Sequence, residues 1–351
     1  MTVEIGGRRL GIREPLFVIA ELGLNHGGDV DRALAMVDAA AASGASAVKL
    51  QTFRAEELVA AECPAPVHVP DASLRDFFQR FELDRAAHMM IAERARAHGL
   101  AFMATPFSVS AVEMLVDLGA DALKIASGDL TFDTLIAAAA QTGLPLVLST
   151  GMSTLAETTH AVALARHHGA RQMALLHCVS SYPVPEGSEN LRAIQTLAQF
   201  FNVPVGLSDH ARDASGVPVA IALGATLYER HLMLAGDGGV DAAVSSSPDQ
   251  FASLVESARR TQSALGHGRR ECLAAEAANL TASRRALHST RALAPGQTIE
   301  RDDVTFLRPS RGLSPALYEE LIGTVVTREI AAGAPYLGHD LPSVRNQRGV
   351  A

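Results

Sequence analysis

Short runs of apolar and β-branched residues alternate with Ala-rich stretches of helical periodicity along most of the chain. The first run, FVIAEL at 17–22, precedes a helix predicted near Asp31 to Ser43, where Leu34, Val37 and Ala41 share one face and Gly44 is a natural stop. AVKLQTF (47–53) is the next predicted strand, followed by a loop holding Pro64, Pro66 and Pro70 and by a helix near Arg85 to His98. AFMATPF (101–107), ALKIAS (122–127), LVLST (146–150), ALLHC (174–178), VGLSD (205–209) and TLYERH (226–231) continue the series, each ahead of a helical segment, the last at roughly 249–265. About eight strand–helix units is the count of a closed (β/α)₈ barrel. A doubly wound open sheet usually has fewer strands and often a Gly-rich first turn, and no GxGxxG follows the first strand here. The expected fold class is α/β, a TIM barrel.

The rhythm changes after about Arg269. RALHSTRALAPGQTIERDDVTFLRP has short β-prone runs punctuated by Pro295 and Gly296, and GTVVTREIAAGAPYLGHDL repeats the flavour with Gly333 and Pro335. The pattern assigns residues 1–268 to the barrel, 269–283 to a linker and 284–345 to a small β-rich domain, with a frayed tail from Ser343.

Composition narrows the function classes. Hydrophobic residues make up 48% of the 351 and charged residues 19%, a core-forming balance. The net charge is −8 with no Lys/Arg tract, which disfavours nucleic-acid binding. No secretory signal is visible at MTVEIGGRRLGI, and the apolar runs are too short to span a bilayer. Cys63, Cys178 and Cys272 lack metal-type spacing, and an odd count suits a reducing cytosol, so a cytoplasmic location is expected.

Reactive groups of barrel enzymes sit at the C-terminal ends of the strands. The polar residues at those ends are Glu21, Asn25, Lys49, Gln51, Thr105, Lys124, Ser127, Ser149, Thr150, His177, Ser208, Asp209, His210, Glu229 and His231. A full ring of them is hard to explain as solvation. Two ammonium groups, Lys49 and Lys124, near Thr105, Ser127, Ser149 and Ser208, suit a phosphate plus a carboxylate. The bland alternative pairs each lysine with a rim carboxylate; the sharper one is a Schiff-base aldolase. His210 and His231 end adjacent strands and can share one divalent metal. Cys178 is expected to face away from His177 and to be a core cysteine.

The segments IAELGLNHGGD, VKLQTF, ATPFS, KIASGD, LSTGM, LLHCVSSYPVPEGSENL, VGLSDH and ERH resemble the N-acetylneuraminate (sialic acid) synthase family. The tail, with LRPSRGLSP and LIGTVVTREIAAGAP, resembles the antifreeze-like (SAF) domain that follows the barrel in that family. The resemblance implies that phosphoenolpyruvate lies against Lys49, Thr105, Lys124, Ser127, Ser149 and Ser208. It implies Mn²⁺ or Mg²⁺ on His210 and His231, and an N-acyl mannosamine-type acceptor or its 6-phosphate bordered by Gln51, Tyr182 and Asp241. It also implies a domain-exchanged homodimer in which Arg308 reaches the partner's acceptor, and it leaves proton movement between Glu21 and Glu229.

The implied reaction joins C3 of phosphoenolpyruvate to the sugar aldehyde, and water addition at C2 then expels phosphate with C–O cleavage. The expected products are nonulosonic acids, and a degenerate sugar-binding barrel is the non-enzymatic alternative. The acceptor side departs from the family pattern. After ERH the chain reads LMLAGDGGVDAAVSS, keeping Asp241 but placing Val240 and Ala242 where Pro and His are usual. Asp129 replaces Glu, Ser180 stands where some sialate synthases carry Asn, and the RPG turn reads Arg308-Pro309-Ser310.

Overall fold

A computed structural model describes residues 3–64 and 73–340. Pro66, Pro70, the expected frayed tail from Ser343 and the last residues of the 284–345 module lie outside the described residues. The chain divides into two compact units, 1–266 and 267–351.

The first unit is a closed barrel of eight parallel strands: β1 (Phe17–Glu21), β2 (Ala47–Thr52), β3 (Ala101–Pro106), β4 (Ala122–Ile125), β5 (Leu146–Ser149), β6 (Met173–Cys178), β7 (Val205–Asp209) and β8 (Leu227–Leu232). Each pairs with the next, and β8 closes the ring by pairing with β1 as well as β7. The main helices between and after the strands are α1 (Val30–Ala42), α2 (Arg85–Ala97), α3 (Val109–Asp117), α4 (Asp133–Gln141), α5 (Leu155–His167), α6 (Ala193–Phe201), α7 (Gly216–Ala222) and α8 (Pro248–Leu265). Side chains from the preceding loops start several of them. Asp29 accepts from the amides of Asp31 and Arg32, and Thr154 with Glu157 and Ser247 with Gln250 form capping boxes.

Strand side chains alternate between two compartments. Val18, Ala20, Val48, Leu50, Phe102, Leu123, Leu148 and Leu175 belong to the large core shared with the helices. Phe17, Ile19, Ala47, Met103, Ala122, Val147, Leu176 and Leu227 fill a second core within the barrel. That interior core also contains Val3, Ile5 and Leu10, from an N-terminal hairpin (Val3–Ile5 with Arg8–Leu10) that the strand pattern did not reveal. Its signal was the Gly6-Gly7 pair between alternating residues: both glycines have positive φ, 54° and 74°, as a two-residue hairpin turn requires.

The small unit holds an antiparallel pair, β9 (Ala286–Ser289) and β10 (Val304–Leu307), over a core that includes Leu287, Ile299, Val326, Ile330 and Tyr336. Isolated bridges, such as Leu293 with Ile330, supply the rest of its β character. The expected linker contains a helix, Ala277–Ser283, and the Ser310 amide donates to the Thr281 carbonyl at 3.0 Å.

β7 runs close against β8 at Gly206, where an added Cβ would overlap the Leu227 carbonyl. Gly206→Ala is expected to lose about 1–3 kcal/mol or more through forced backbone displacement. Gly238→Ala, where nothing lies within 4 Å of an added Cβ, is expected to change stability by less than about 0.5 kcal/mol. Denaturant midpoints of the two variants check both values.

Candidate active site

The inward positions change character along the barrel axis. Phe17 and Ile19 give way to Glu21, Ala47 to Lys49 and Gln51, Met103 to Thr105, Ala122 to Lys124, Val147 to Ser149, and Leu227 to Glu229 and His231. Together with Ser127, Tyr182, Ser208 and His210, these polar groups line one cavity of about 320 Å³ at the C-terminal mouth. Thr150, His177 and Asp209, counted in the same ring from the sequence, do not line it. Thr150 donates to the Leu176 carbonyl and His177 Nε2 meets the Glu189 carbonyl at 2.7 Å. Asp209 is held by Tyr228 and by Arg230, whose Nη1 is 3.6 Å away.

The same alternation corrects Cys178. It does face away from His177, but the side it faces is the cavity, where its Sγ is 3.6 Å from His210 Nδ1. Burial raises its pKa, which argues against a nucleophilic role. Phe107, Met152 and Ser180 also line the cavity without having been singled out as site residues; Ser180 was noted only as a departure from the family pattern. All three follow strand ends, where the two-residue period no longer constrains direction.

Two lysines and two carboxylates occupy the floor of the mouth, each at most 5% exposed. Lys49 Nζ is 2.6 Å from Glu21 Oε2, 3.8 Å from Glu229 Oε2, and donates to Thr105 Oγ1 at 3.0 Å. Burial works against its charge, but Glu21 and then Glu229 outweigh burial and raise its pKa. Lys124 is different. Its nearest carboxylate oxygen is Glu229 Oε1 at 3.9 Å, and its Nζ donates only a long bond, 3.4 Å, to the Ile125 carbonyl. Burial lowers its pKa, Lys49 adds to that, and Glu229 compensates in part. Burial would raise the Glu229 pKa, but Lys124, Lys49 and the 2.8 Å bond from Ser208 Oγ hold it below the usual carboxylate range. Ser149 Oγ and Glu229 Oε2 are buried without a hydrogen-bond partner. The mouth therefore holds an under-paired ammonium and an unused hydroxyl, a composition that accepts an anion.

The two imidazoles sit beside this pocket with ring centroids 5.5 Å apart. His210 Nδ1 lies 3.3 Å from the Val179 carbonyl, and His231 Nδ1 lies 3.2 Å from Asp241 Oδ2. Burial, and next the His231 charge, lower the His210 pKa to about 3, so this ring is neutral and able to ligate. Burial opposes the charge on His231, yet Asp241 overcomes it and raises its pKa. Asp241 is fixed by the Leu24 amide at 3.1 Å, and its own amide donates to Asn25 Oδ1 at 3.1 Å. It stands behind His231 and does not line the cavity, which fits orienting an imidazole by its other nitrogen. Among the described residues no hydrogen bond or ion pair reaches either Nε2, and the two rings could hold a divalent cation with oxygens from water or substrate. No third His, Cys, Asp or Glu joins them as a cluster among the described residues.

Tyr182 packs on His210 with ring centroids 4.1 Å apart, and Gln51 Nε2 donates to Glu21 Oε1 at 3.3 Å. Arg308 belongs to the small unit, is exposed, and follows β10.

Comparison with known proteins identifies the family. The NeuB family matches residues 36–270 and the SAF domain residues 284–342. The chain is 34% identical over 331 residues to an N,N'-diacetyllegionaminic acid synthase of Legionella pneumophila, covering 92% of this chain and 93% of that one. It is 31% identical over 327 residues to a pseudaminic acid synthase of Campylobacter jejuni, covering 91% and 94%. A solved N-acetylneuraminic acid synthetase from Leptospira borgpetersenii, in complex with citrate, superposes with a TM-score of 0.73 at 36% identity, covering 80% of this chain and 95% of that one. The barrel, its charged mouth and the small domain that follows it in sequence lead to one conclusion: the chain belongs to the NeuB family.

Proposed function

We propose that this chain condenses phosphoenolpyruvate with the open-chain aldehyde of an N-acyl mannosamine-type sugar, giving a nonulosonic acid and phosphate. The observation that carries the reading is the under-paired Lys124, 3.9 Å from its nearest carboxylate, beside the unused Ser149 hydroxyl in a buried pocket. Relatives named as synthases of legionaminic and pseudaminic acids support the reaction class.

Lys124, Ser127, Ser149 and Thr105 would hold the phosphate and carboxylate, with Lys49 kept charged by Glu21. C3 of the donor then adds to the aldehyde carbon, the aldehyde oxygen takes up a proton, and C2 becomes electron-poor. Water adds to C2, loses a proton, and phosphate leaves with cleavage of the C2–O bond. Glu229 would orient that water or take its proton, because its Oε2 has no hydrogen-bond partner while Oε1 accepts from Ser208. The neighbouring imidazoles of His210 and His231 would suit Mn²⁺ or Mg²⁺, ions that retain several oxygen ligands. Such a cation would polarise the aldehyde oxygen when bound. Gln51 and Tyr182 would border the acceptor, and Asp241 would act on it through His231.

The small domain completes the proposal. Arg308 is exposed, and its planar fork suits two sugar oxygens. It would close the mouth of the partner barrel in a domain-exchanged homodimer. No helix among the described residues is long and apolar enough to cross a membrane, and the proposed location is the cytoplasm.

A panel of 2-acylamino and neutral hexoses, incubated with phosphoenolpyruvate and Mn²⁺, should release phosphate only with an acylamino acceptor, with matching product mass. Borohydride with pyruvate should trap no adduct on Lys124, whereas a Schiff-base aldolase would be trapped. His210→Ala and His231→Ala should each abolish metal-dependent turnover while keeping the fold, and exhaustive chelation should silence the wild type.

Lys124→Met removes the cation but keeps the stem. Loss of one partner of a buried charged contact costs about 2–5 kcal/mol, so phosphoenolpyruvate affinity should fall about 30-fold or more by calorimetry, with acceptor binding little changed. Mixed dimers of Arg308→Ala and His231→Ala should recover activity that neither parent has, because one site is then intact. Verified mixed dimers without recovery would refute the cross-subunit role.

A further inference from the structure

The sheet fixes one of the two imidazoles at the mouth more firmly than the other. His231 lies within β8, in register with Glu21 of β1 on one side and with Ser245 of a short parallel strand, Ser245–Ser246, on the other. His210 lies one residue past the end of β7, and the last register pair between β7 and β8 is Asp209 with Arg230. The Val184 amide donates to the His210 carbonyl at 3.0 Å, but that bond ties His210 to the loop after β6 and not to His231. Two rings that share one cation need a set separation, and the backbone ladder stops short of setting it.

Arg230 extends the junction beyond the ladder. It sits between Glu229 and His231 on β8 and does not line the mouth with them, and it is only 1% exposed. Its Nη1 donates to the Ala211 carbonyl at 2.9 Å and its Nη2 to the Arg212 carbonyl at 3.2 Å, the two residues directly after His210. Its Nε donates to Ser246 Oγ at 2.9 Å, next to the Ser245 that pairs with His231. Ser245 Oγ donates in turn to the carbonyl of Asp241, the residue behind His231, at 2.7 Å. One rigid planar group thus joins the segment that carries His210 to the segment that backs His231. Asp209 supplies the counter-charge. Its Oδ2 is 3.6 Å from Nη1 and accepts from the Tyr228 hydroxyl, and its Oδ1 accepts from the Ala211 amide at 2.9 Å.

We propose that Arg230 is a positioning residue: its fork sets His210 against His231 and so sets the affinity of the two rings for a divalent cation. The inference rests on the reading of these rings as a cation site. A buried ion pair gives little net stability over apolar packing, so geometry is the better account of this one. The bland alternative is a staple whose loss loosens the whole mouth. The two differ in reach. Lys49, Thr105, Lys124 and Ser149 stand on β2 to β5, none of which Arg230 contacts by a hydrogen bond. A positioning role weakens cation binding alone, whereas a staple weakens the anion pocket with it.

The test uses the full chain without sugar. Mn²⁺ affinity is read from the electron paramagnetic resonance signal of the free ion, and phosphoenolpyruvate affinity by calorimetry in metal-free buffer. Arg230→Lys keeps the charge but cannot span three acceptors, and Arg230→Met keeps the stem alone. Each should weaken Mn²⁺ binding about tenfold or more, with phosphoenolpyruvate affinity within about twofold of the wild type. Ser246→Ala removes one acceptor and should act in the same direction by a smaller factor. Wild-type Mn²⁺ affinity in folded Arg230→Lys overturns the inference. Mn²⁺ and phosphoenolpyruvate affinities that fall by the same factor overturn it too, in favour of the staple. Where neither Arg230 variant folds, Ser246→Ala decides, and wild-type Mn²⁺ affinity there overturns the inference. A wild type that binds no Mn²⁺ overturns the cation reading itself, which separates that failure from the failure of Arg230.

Discussion

Two lysines and two glutamates share the buried floor of the barrel mouth, and the charge balance among them is the constraint on which the rest depends. Buried ions are costly unless paired and hydrogen-bonded. Lys49 meets that requirement with Glu21 at 2.6 Å and Thr105 at 3.0 Å. Lys124 does not, since its nearest carboxylate oxygen is 3.9 Å away. A site built only for stability would have closed that gap. On the proposed reading a substrate anion completes that ammonium, while Glu229, which accepts from Ser208, offsets part of the positive charge.

The barrel supports this balance by geometry. Closing the ring between β8 and β1 puts His231 opposite Glu21 in register, and β1 puts Glu21 opposite Lys49. Groups from strands far apart in sequence are thereby fixed on rigid elements, with the apolar interior core and the N-terminal hairpin beneath them. The segment after β8, which the sequence reading marks as departing from the family pattern, is anchored at several points. Asn25 Nδ2 donates to the Leu232 carbonyl and Ser245 Oγ, Asp241 accepts from Leu24, and Arg32 pairs with Asp237 at 2.9 Å. Its altered residues surround the retained Asp241 without removing the contact to His231.

Most of the fold was legible because each barrel strand is a short apolar run and each following helix has its own period and stop. Strand ends agreed to within a residue or two, as at β3 and β7. The site was legible as polar residues at strand ends: Lys49, Lys124, Glu229 and His231 all face inward with apolar residues below them. Counting polarity alone failed at other strand ends. Asp209 and His177 are polar at a strand end but point to the helix side, and Cys178 is apolar in character but points into the mouth. Phe107, Met152 and Ser180 lie past the strands, where loop conformation decides direction and no periodicity reports it. The N-terminal hairpin was too short to show a period, and only Gly6-Gly7 marked it.

The account's central claim is that this charge-balanced mouth adds water to C2 of phosphoenolpyruvate after the new carbon–carbon bond forms. Isotopic labelling of the bridging C–O–P oxygen tests it most directly, in a reaction with Mn²⁺ and an acylamino sugar aldehyde. The account predicts that the label leaves with the released phosphate and that the product's new C2 oxygen comes from water. Label retained in the product would show cleavage at phosphorus and contradict the account.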